Sequence, residues 1–193
     1  SRQFAIDMET AVDVLQDIKN LHLIGTIDIF QYQEKDRQRL EQLLASGKIK
    51  GIKLYTGYQH FYPEDKRCEP VYQLCEKYDL PVIFHSGDTS AMDFPVKVKY
   101  AQPLYIDDVA ADHPKLKIII AHCGNPWFMD SAEVIYKNEN VYGDISGLFS
   151  HEHMADKKYM ALMKRKLDEL MTYASPAKLI YGSDSPVTPL KWY

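Results

Sequence analysis

Short β-branched and aliphatic runs alternate along the chain with longer stretches whose apolar residues recur at helical spacing. That alternation is the written form of a parallel sheet wrapped by crossover helices. Six runs predict strands: Leu23–Phe30, Gly51–Tyr55, Pro81–His85, Lys117–His122, Asn140–Ile145 and Lys178–Gly182. Most are near-continuously apolar, as strands covered on both faces are. Between them the period changes. Met8, Ala11, Val12, Leu15 and Ile18 form one helical stripe behind a candidate N-cap, Asp7. Leu40, Leu43 and Leu44 mark a second helix that stops at Gly47, a candidate C′ glycine. Pro70, at a favourable first-turn position, opens a third through Val71, Leu74, Cys75 and Tyr78, which Pro81 ends. Further helices are predicted near Leu104–Asp112, Pro126–Lys137 and Met154–Thr172, the last with Met160, Met163, Leu167, Leu170 and Met171 turned inward as core filler.

Successive strand starts lie about 31 residues apart, the unit size of a (β/α)8 barrel of roughly 250 residues. At that size a chain of 193 residues holds about six units. The fold class expected is therefore α/β, with the unit size of a (β/α)8 TIM barrel but only about six units and no helix after the last strand, so that either part of the barrel is missing or the sheet is open. No linker, low-complexity segment or further repeat divides the chain. We read residues 1–193 as a single domain and as a portion of a longer chain.

Composition narrows the function classes. With 46% apolar and 12% aromatic residues the chain has the means to bury a core, which excludes a disordered segment. Its 23 Lys+Arg against 27 Asp+Glu leave a formal charge of −4, with no basic block to attract nucleic acid or an anionic membrane. The longest apolar run, Tyr159–Met163, is far short of the ~20 residues of a membrane span, and the N-terminus lacks a signal-peptide apolar region. A soluble, cytoplasmic protein acting on a small-molecule substrate is expected, with room for a homo-oligomer. Cys68, Cys75 and Cys123 are odd in number and lack Cys-x-x-Cys spacing, so they read as free, buried thiols.

Active sites of parallel α/β folds lie at the carboxyl ends of the strands, so polar residues ending apolar strands are the place to look for chemistry. Three strands end this way, delivering His85, His122 and Asp184 to one rim. Two imidazoles and a carboxylate suit a divalent transition metal, zinc first, with manganese or iron as alternatives. Each residue alone has a plainer reading: a core imidazole satisfied by the backbone, or an N-cap for Asp184. Their convergence favours the metal. Lys53, inside the second strand, needs a partner and would orient an anionic substrate or contact a site carboxylate, unless it snorkels from an edge. In the aromatic loop after it, Tyr58 and His60 are candidate pocket-lining groups against a background of ordinary loop packing. Trp127 would serve an aromatic substrate. His151 and His153 form a His-x-His, but Ser150–Met154 reads as a solvated helix start rather than a strand. His113 and His22 precede strands, at the opposite rim, and read as structural.

Several segments together resemble the amidohydrolase-related family of metal-dependent (β/α)8-barrel hydrolases. They are Gly51-Ile-Lys-Leu-Tyr55 followed by Tyr62-Pro63, Leu80–Thr89 around His85, His113–Gly124 around His122, Val141-Tyr-Gly-Asp-Ile-Ser-Gly147, and Leu179–Pro186 around Asp184. The resemblance implies that His85 is a metal ligand, that Asp184 is a ligand or the base on the metal-bound water, and that His122 lies beside the metal and polarises substrate or water. Family members also carry a first strand with a His-x-His or Glu-x-His pair, and residues 1–22 contain only His22, so the resemblance implies an incomplete TIM barrel whose first one or two strands and last helix are not in this sequence.

A divalent ion in such a site lowers the pKa of its bound water towards ~7. The expected reaction is hydrolysis of an amide, ester or lactone by a metal-bound hydroxide, with Asp184 moving the proton and His122 stabilising the oxyanion. The resemblance equally permits non-oxidative decarboxylation of an aromatic or unsaturated acid. A third reading is a non-catalytic barrel remnant lacking the first-strand ligands.

Overall fold

Six short parallel strands, β1 (Leu23–Thr26), β2 (Ile49–Leu54), β3 (Val82–Phe84), β4 (Ile118–Ile120), β5 (Val141–Asp144) and β6 (Leu179–Ile180), lie side by side in chain order. The computed structural model describes residues 7–89, 95–149, 153 and 155–185. Helix α1 (Met8–Leu15) precedes β1. The crossovers are α2 (Glu34–Ala45), a short α3 (Thr56–Gln59) with α4 (Glu69–Lys77), α5 (Tyr105–Asp112), α6 (Phe128–Lys137) and α7 (Lys157–Ala174). This is the strand–helix order of an incomplete (β/α)8 barrel, as the unit spacing predicts.

Register fixes which side chains meet the helices. Ile52, Val82, Ile118 and Val141 form one row across the sheet, and Leu54, Phe84, Ile120 and Gly143 the next row on the same face. All are buried beneath the helices, against Leu40, Val71, Leu74, Ile106, Phe128 and Ile135. A large aliphatic or aromatic side chain buried this fully contributes about 1.5–3 kcal/mol. Side chains alternate between faces, so the intervening row, Lys53, Ile83, Ile119 and Tyr142, points the other way and is only half-buried. Ile24 and Ile180, on the two outermost strands, are 43% and 39% exposed.

Side-chain caps set several helix starts. Asp7 accepts from the Thr10 N–H at 2.9 Å, and Asp156 from those of Lys158 and Tyr159. Gln33 and Asp36 form a capping box for α2 that the hydrophobic spacing does not disclose. Three predicted boundaries are corrected, two of them by such local bonds. β1 ends at Thr26 rather than Phe30, because the Asp28 carboxylate accepts from the Phe30 N–H at 3.0 Å and turns the chain. α7 begins at Lys157 rather than Met154, after its Asp156 cap. α1 stops at Leu15, leaving Ile18 exposed instead of in the stripe.

The three cysteines are free and buried, as expected. Burial pushes the Cys68 and Cys75 thiols up to about 12, and raises Cys123 as well. Among the described residues no helix is long and apolar enough to cross a membrane.

Asn140 ties the helix face together at the start of β5. Its amide donates to the carbonyls of Leu116, His113 and Ala110 at 2.9, 3.0 and 3.3 Å. Asn140→Ala removes all three of these hydrogen bonds, and a loss of about 1–3 kcal/mol is expected. It should be read as a lower urea midpoint with an unchanged slope.

Candidate functional site

His85 directly follows β3 and His122 comes two residues after β4, so both leave the carboxyl ends of neighbouring strands. Their chains then turn sharply against each other. Gly87 has φ +84°, and a Cβ there would lie 2.2 Å from the Asn125 carbonyl oxygen. Only glycine permits that approach. The Asp88 N–H donates to the same carbonyl at 2.6 Å and the Gly87 N–H to the Ala101 carbonyl at 2.7 Å. His122 and Cys123 themselves sit in the left-handed region, at φ 59° and 43°. Non-glycine residues adopt that region uncommonly and need surrounding bonds to hold them there. The outcome is an edge-to-face pair of imidazoles with centroids 5.0 Å apart, both nearly inaccessible at 7% and 8% exposure.

Asp184 follows β6, is half-buried and also has a left-handed φ of 60°. It reaches the same place from the far side. Gly147, at φ +68°, leaves open the gap between them: a Cβ there would meet His122 Nδ1 at 2.9 Å and Asp184 Oδ2 at 3.1 Å. On the β3 side, Tyr55 stacks on His85 at 5.9 Å and Tyr58 meets it edge-on at 4.9 Å. The Lys53 ammonium lies 5.6 Å from the Tyr55 ring centre. His85, His122, Asp184, Lys53 and Tyr58 are thus brought together. His60 points its Nε2 at the Pro95 carbonyl and stacks on Tyr100, with no contact to His85 among those described. Trp127 is half-buried at the entry to α6, its N–H bonded to the Gly124 carbonyl at 2.8 Å.

Electrostatics set the protonation state of His85. Burial, the neighbouring His122 and the Lys53 charge push the His85 pKa down from 6.5 to about 3. His85 is therefore neutral at physiological pH, and its buried Nδ1 has no hydrogen-bond partner among the described residues. A buried polar nitrogen left unpaired is costly and asks for an explanation. Burial, and then the charge of Asp184, hold the Tyr55 phenol above its ordinary value. His122 is tethered instead: its Nδ1 lies 3.0 Å from both the carbonyl and the hydroxyl oxygen of Ser146.

Tyr55, Asp144 and Ser146 were not among the residues expected from sequence. Tyr55 has a signal, since it lies two residues beyond Lys53 and so on the same strand face. Asp144 and Ser146 fall in the Val141–Gly147 segment but carry no signal of a role. His151 lies outside the described residues, and His153 stacks on Tyr159 at 4.2 Å. His113 sits between Glu69 and Glu76, away from this rim. A cavity of about 550 Å³ at the end of β1 is lined by Thr26, Asp28, Phe30 and Tyr32 among others, and by no histidine. The polar groups converge around His85 and away from this cavity.

The donor chemistry fits a divalent ion, since neutral imidazole and carboxylate are its usual ligands. The donor count is short of a closed site. Among the described residues no three His, Cys, Asp or Glu side chains stand close enough to hold an ion by themselves.

A β/α chain in sequential parallel order, with histidines and an aspartate at the carboxyl rim, is the pattern of an incomplete (β/α)8 barrel. The sequence profile of the amidohydrolase family matches residues 31–193, and the chain belongs to that family. A comparison with curated proteins returns no match. Solved structures agree on the fold. An uncharacterised TIM-barrel protein from Bordetella bronchiseptica superposes with a TM-score of 0.72 at 21% identity, over 98% of this chain and 63% of its own. The 5-carboxyvanillate decarboxylase of Sphingomonas paucimobilis gives 0.65 at 14% identity, over 94% and 62%. A zinc-bound amidohydrolase from Burkholderia multivorans gives 0.67 at 16%, over 93% and 64%. The chain spans a little under two thirds of the length of each.

Because the folded His85 binds a proton only near pH 3, while its unfolded counterpart binds one near the ordinary value of about 6.5, acid favours unfolding between those limits. The metal-free protein should hold its full His85 contribution above pH 6.5 and lose it progressively towards pH 3. Urea midpoints measured across that window should fall less steeply for His85→Gln. Parallel curves for the two proteins would contradict the burial argument.

Proposed function

We propose that the chain forms the active-site rim of a metal-dependent hydrolase acting on an amide, ester or lactone. The observation that carries this reading is the buried, neutral, unpartnered Nδ1 of His85 beside His122 and Asp184. His85 and Asp184 would hold the ion, with zinc favoured by the donor set and manganese or iron as alternatives. An ion bound there supplies Lewis acidity and lowers the pKa of water.

The side chains have separable tasks. Asp184, half-buried at the mouth, accepts the proton of the attacking water and passes it to the leaving group. His122 faces the charge that develops on the substrate oxygen. Lys53 draws an anionic substrate to the rim, and Tyr55 with Tyr58 form an apolar wall that seats it and excludes water. His60 and Trp127 belong to the outer lining.

A second reading, non-oxidative decarboxylation, is favoured by one feature: the Lys53 ammonium above the Tyr55 ring suits the carboxylate and ring of an aromatic acid. The likeness to a decarboxylase fold is compatible with it. The substrate is a small molecule in both readings, and a homo-oligomer in the cytoplasm is the setting we propose.

Three measurements test this. Metal content after supplementation with zinc or manganese should fall about tenfold or more in His85→Ala. Asp184→Asn should lose turnover while keeping the native circular dichroism spectrum; full activity would remove Asp184 from the mechanism. An ester and lactone panel set against hydroxybenzoates separates the chemistries, since release of CO₂ would remove the hydrolase. Absence of metal and of turnover on both panels would leave the non-catalytic reading.

A further inference from the structure

We infer that Asp144 and Ser146 are positioning residues that keep a proton on His122 Nδ1, so that the neutral form of the ring is held as the one tautomer with a bare lone pair on Nε2. The inference rests on the functional reading above only for its consequence; the tautomer itself follows from hydrogen-bond bookkeeping. The Oδ1 of Asp144 accepts three donors from one short segment of space: the His122 N–H at 3.0 Å, the Ser146 N–H at 2.9 Å and the Ser146 hydroxyl. A hydroxyl has one proton to give. With that proton committed to the carboxylate, Ser146 Oγ faces His122 Nδ1 only as an acceptor. The other atom against Nδ1, the Ser146 carbonyl oxygen, never donates. Both neighbours of Nδ1 thus demand a donor, and a neutral imidazole has only one N–H to offer.

The carboxylate orients the hydroxyl, and the hydroxyl orients the ring. Asp144 also fixes the backbone of His122, whose left-handed φ of 59° needs such an anchor. Chemically, Nε2 of the neutral ring can accept a proton or a donor but cannot give one. A hydrogen bond from Nε2 to a developing oxyanion, the role expected from the resemblance, then requires the imidazolium.

The tautomer can be read without any substrate or metal. In uniformly ¹⁵N-labelled, metal-free protein, the imidazole nitrogens of His122 are assigned by comparison with His122→Gln. Nδ1 should resonate as a protonated nitrogen and Nε2 as an unprotonated one. In Asp144→Ala the Ser146 hydroxyl is released to donate to Nδ1, and the two shifts should move towards each other as the second tautomer gains population. The double variant Asp144→Ala/Ser146→Ala removes that competing donor while the carbonyl remains, and should restore the wild-type pattern. A role confined to folding would not produce such a restoration. A proton on Nε2 in the wild type, an unchanged pattern in folded Asp144→Ala, or no restoration in the double variant would each overturn the inference. Should the Asp144 variants fail to fold, wild type and Ser146→Ala decide it, since both should keep the proton on Nδ1 and Nε2–H in either refutes it. Lack of turnover on every substrate panel with the expected tautomer would defeat only the functional reading.

Discussion

The alternation of side chains across a parallel sheet is the constraint on which the rest depends. Once Ile52, Leu54, Val82, Phe84, Ile118 and Ile120 are committed to the helix side, parity sends Lys53, Ile83 and Ile119 to the opposite face and carries Tyr55 and His85 out at the strand ends above them. A one-residue slip in β3 would bury His85 under α4 and α5 and bring Phe84 to the rim. Core packing and site composition are thus one decision, enforced by the apolar area of the helix-facing rows.

The glycines complete what parity begins. Parity delivers His85 and His122 to the same rim, but their separation is set by how closely the two following turns pack. Gly87 lets the turn after β3 rest on the Asn125 backbone, and Gly147 leaves the gap that Asp184 and His122 share. The close-packed turns on one side and the Tyr55 and Tyr58 rings on the other enclose the histidines, and burial in turn keeps His85 neutral. Geometry and protonation state have a common origin.

Sequence reading recovered the six strands, their parallel order and the rim that carries His85, His122 and Asp184, because each strand pairs an apolar run with a polar stop. It overran where local polar bonds end an element early, as Asp28 does after β1 and Asp156 does before α7. Hydrophobic periodicity has no term for a carboxylate capping its own chain. It likewise found the imidazoles but not their supports. Asp144 and Ser146 act through distances between β4 and β5, and their spacing to His122 along the chain, more than twenty residues, carries no pattern. Tyr55 was legible in principle from its parity with Lys53. The pairing of His60 with Tyr100 and Pro95 rather than with His85 was not, since it turns on the left-handed φ of 64° at His60 itself.

The buried thiols have a practical corollary. Cys68, Cys75 and Cys123 are held protonated and enclosed, and a protonated thiol is a poor nucleophile. A cysteine introduced on the surface, at Tyr136 for example, which is 67% exposed on α6, would therefore capture a maleimide fluorophore ahead of the native three. The protein is in effect prepared for single-site labelling without removal of its own cysteines, and those three become a slow internal clock for global opening.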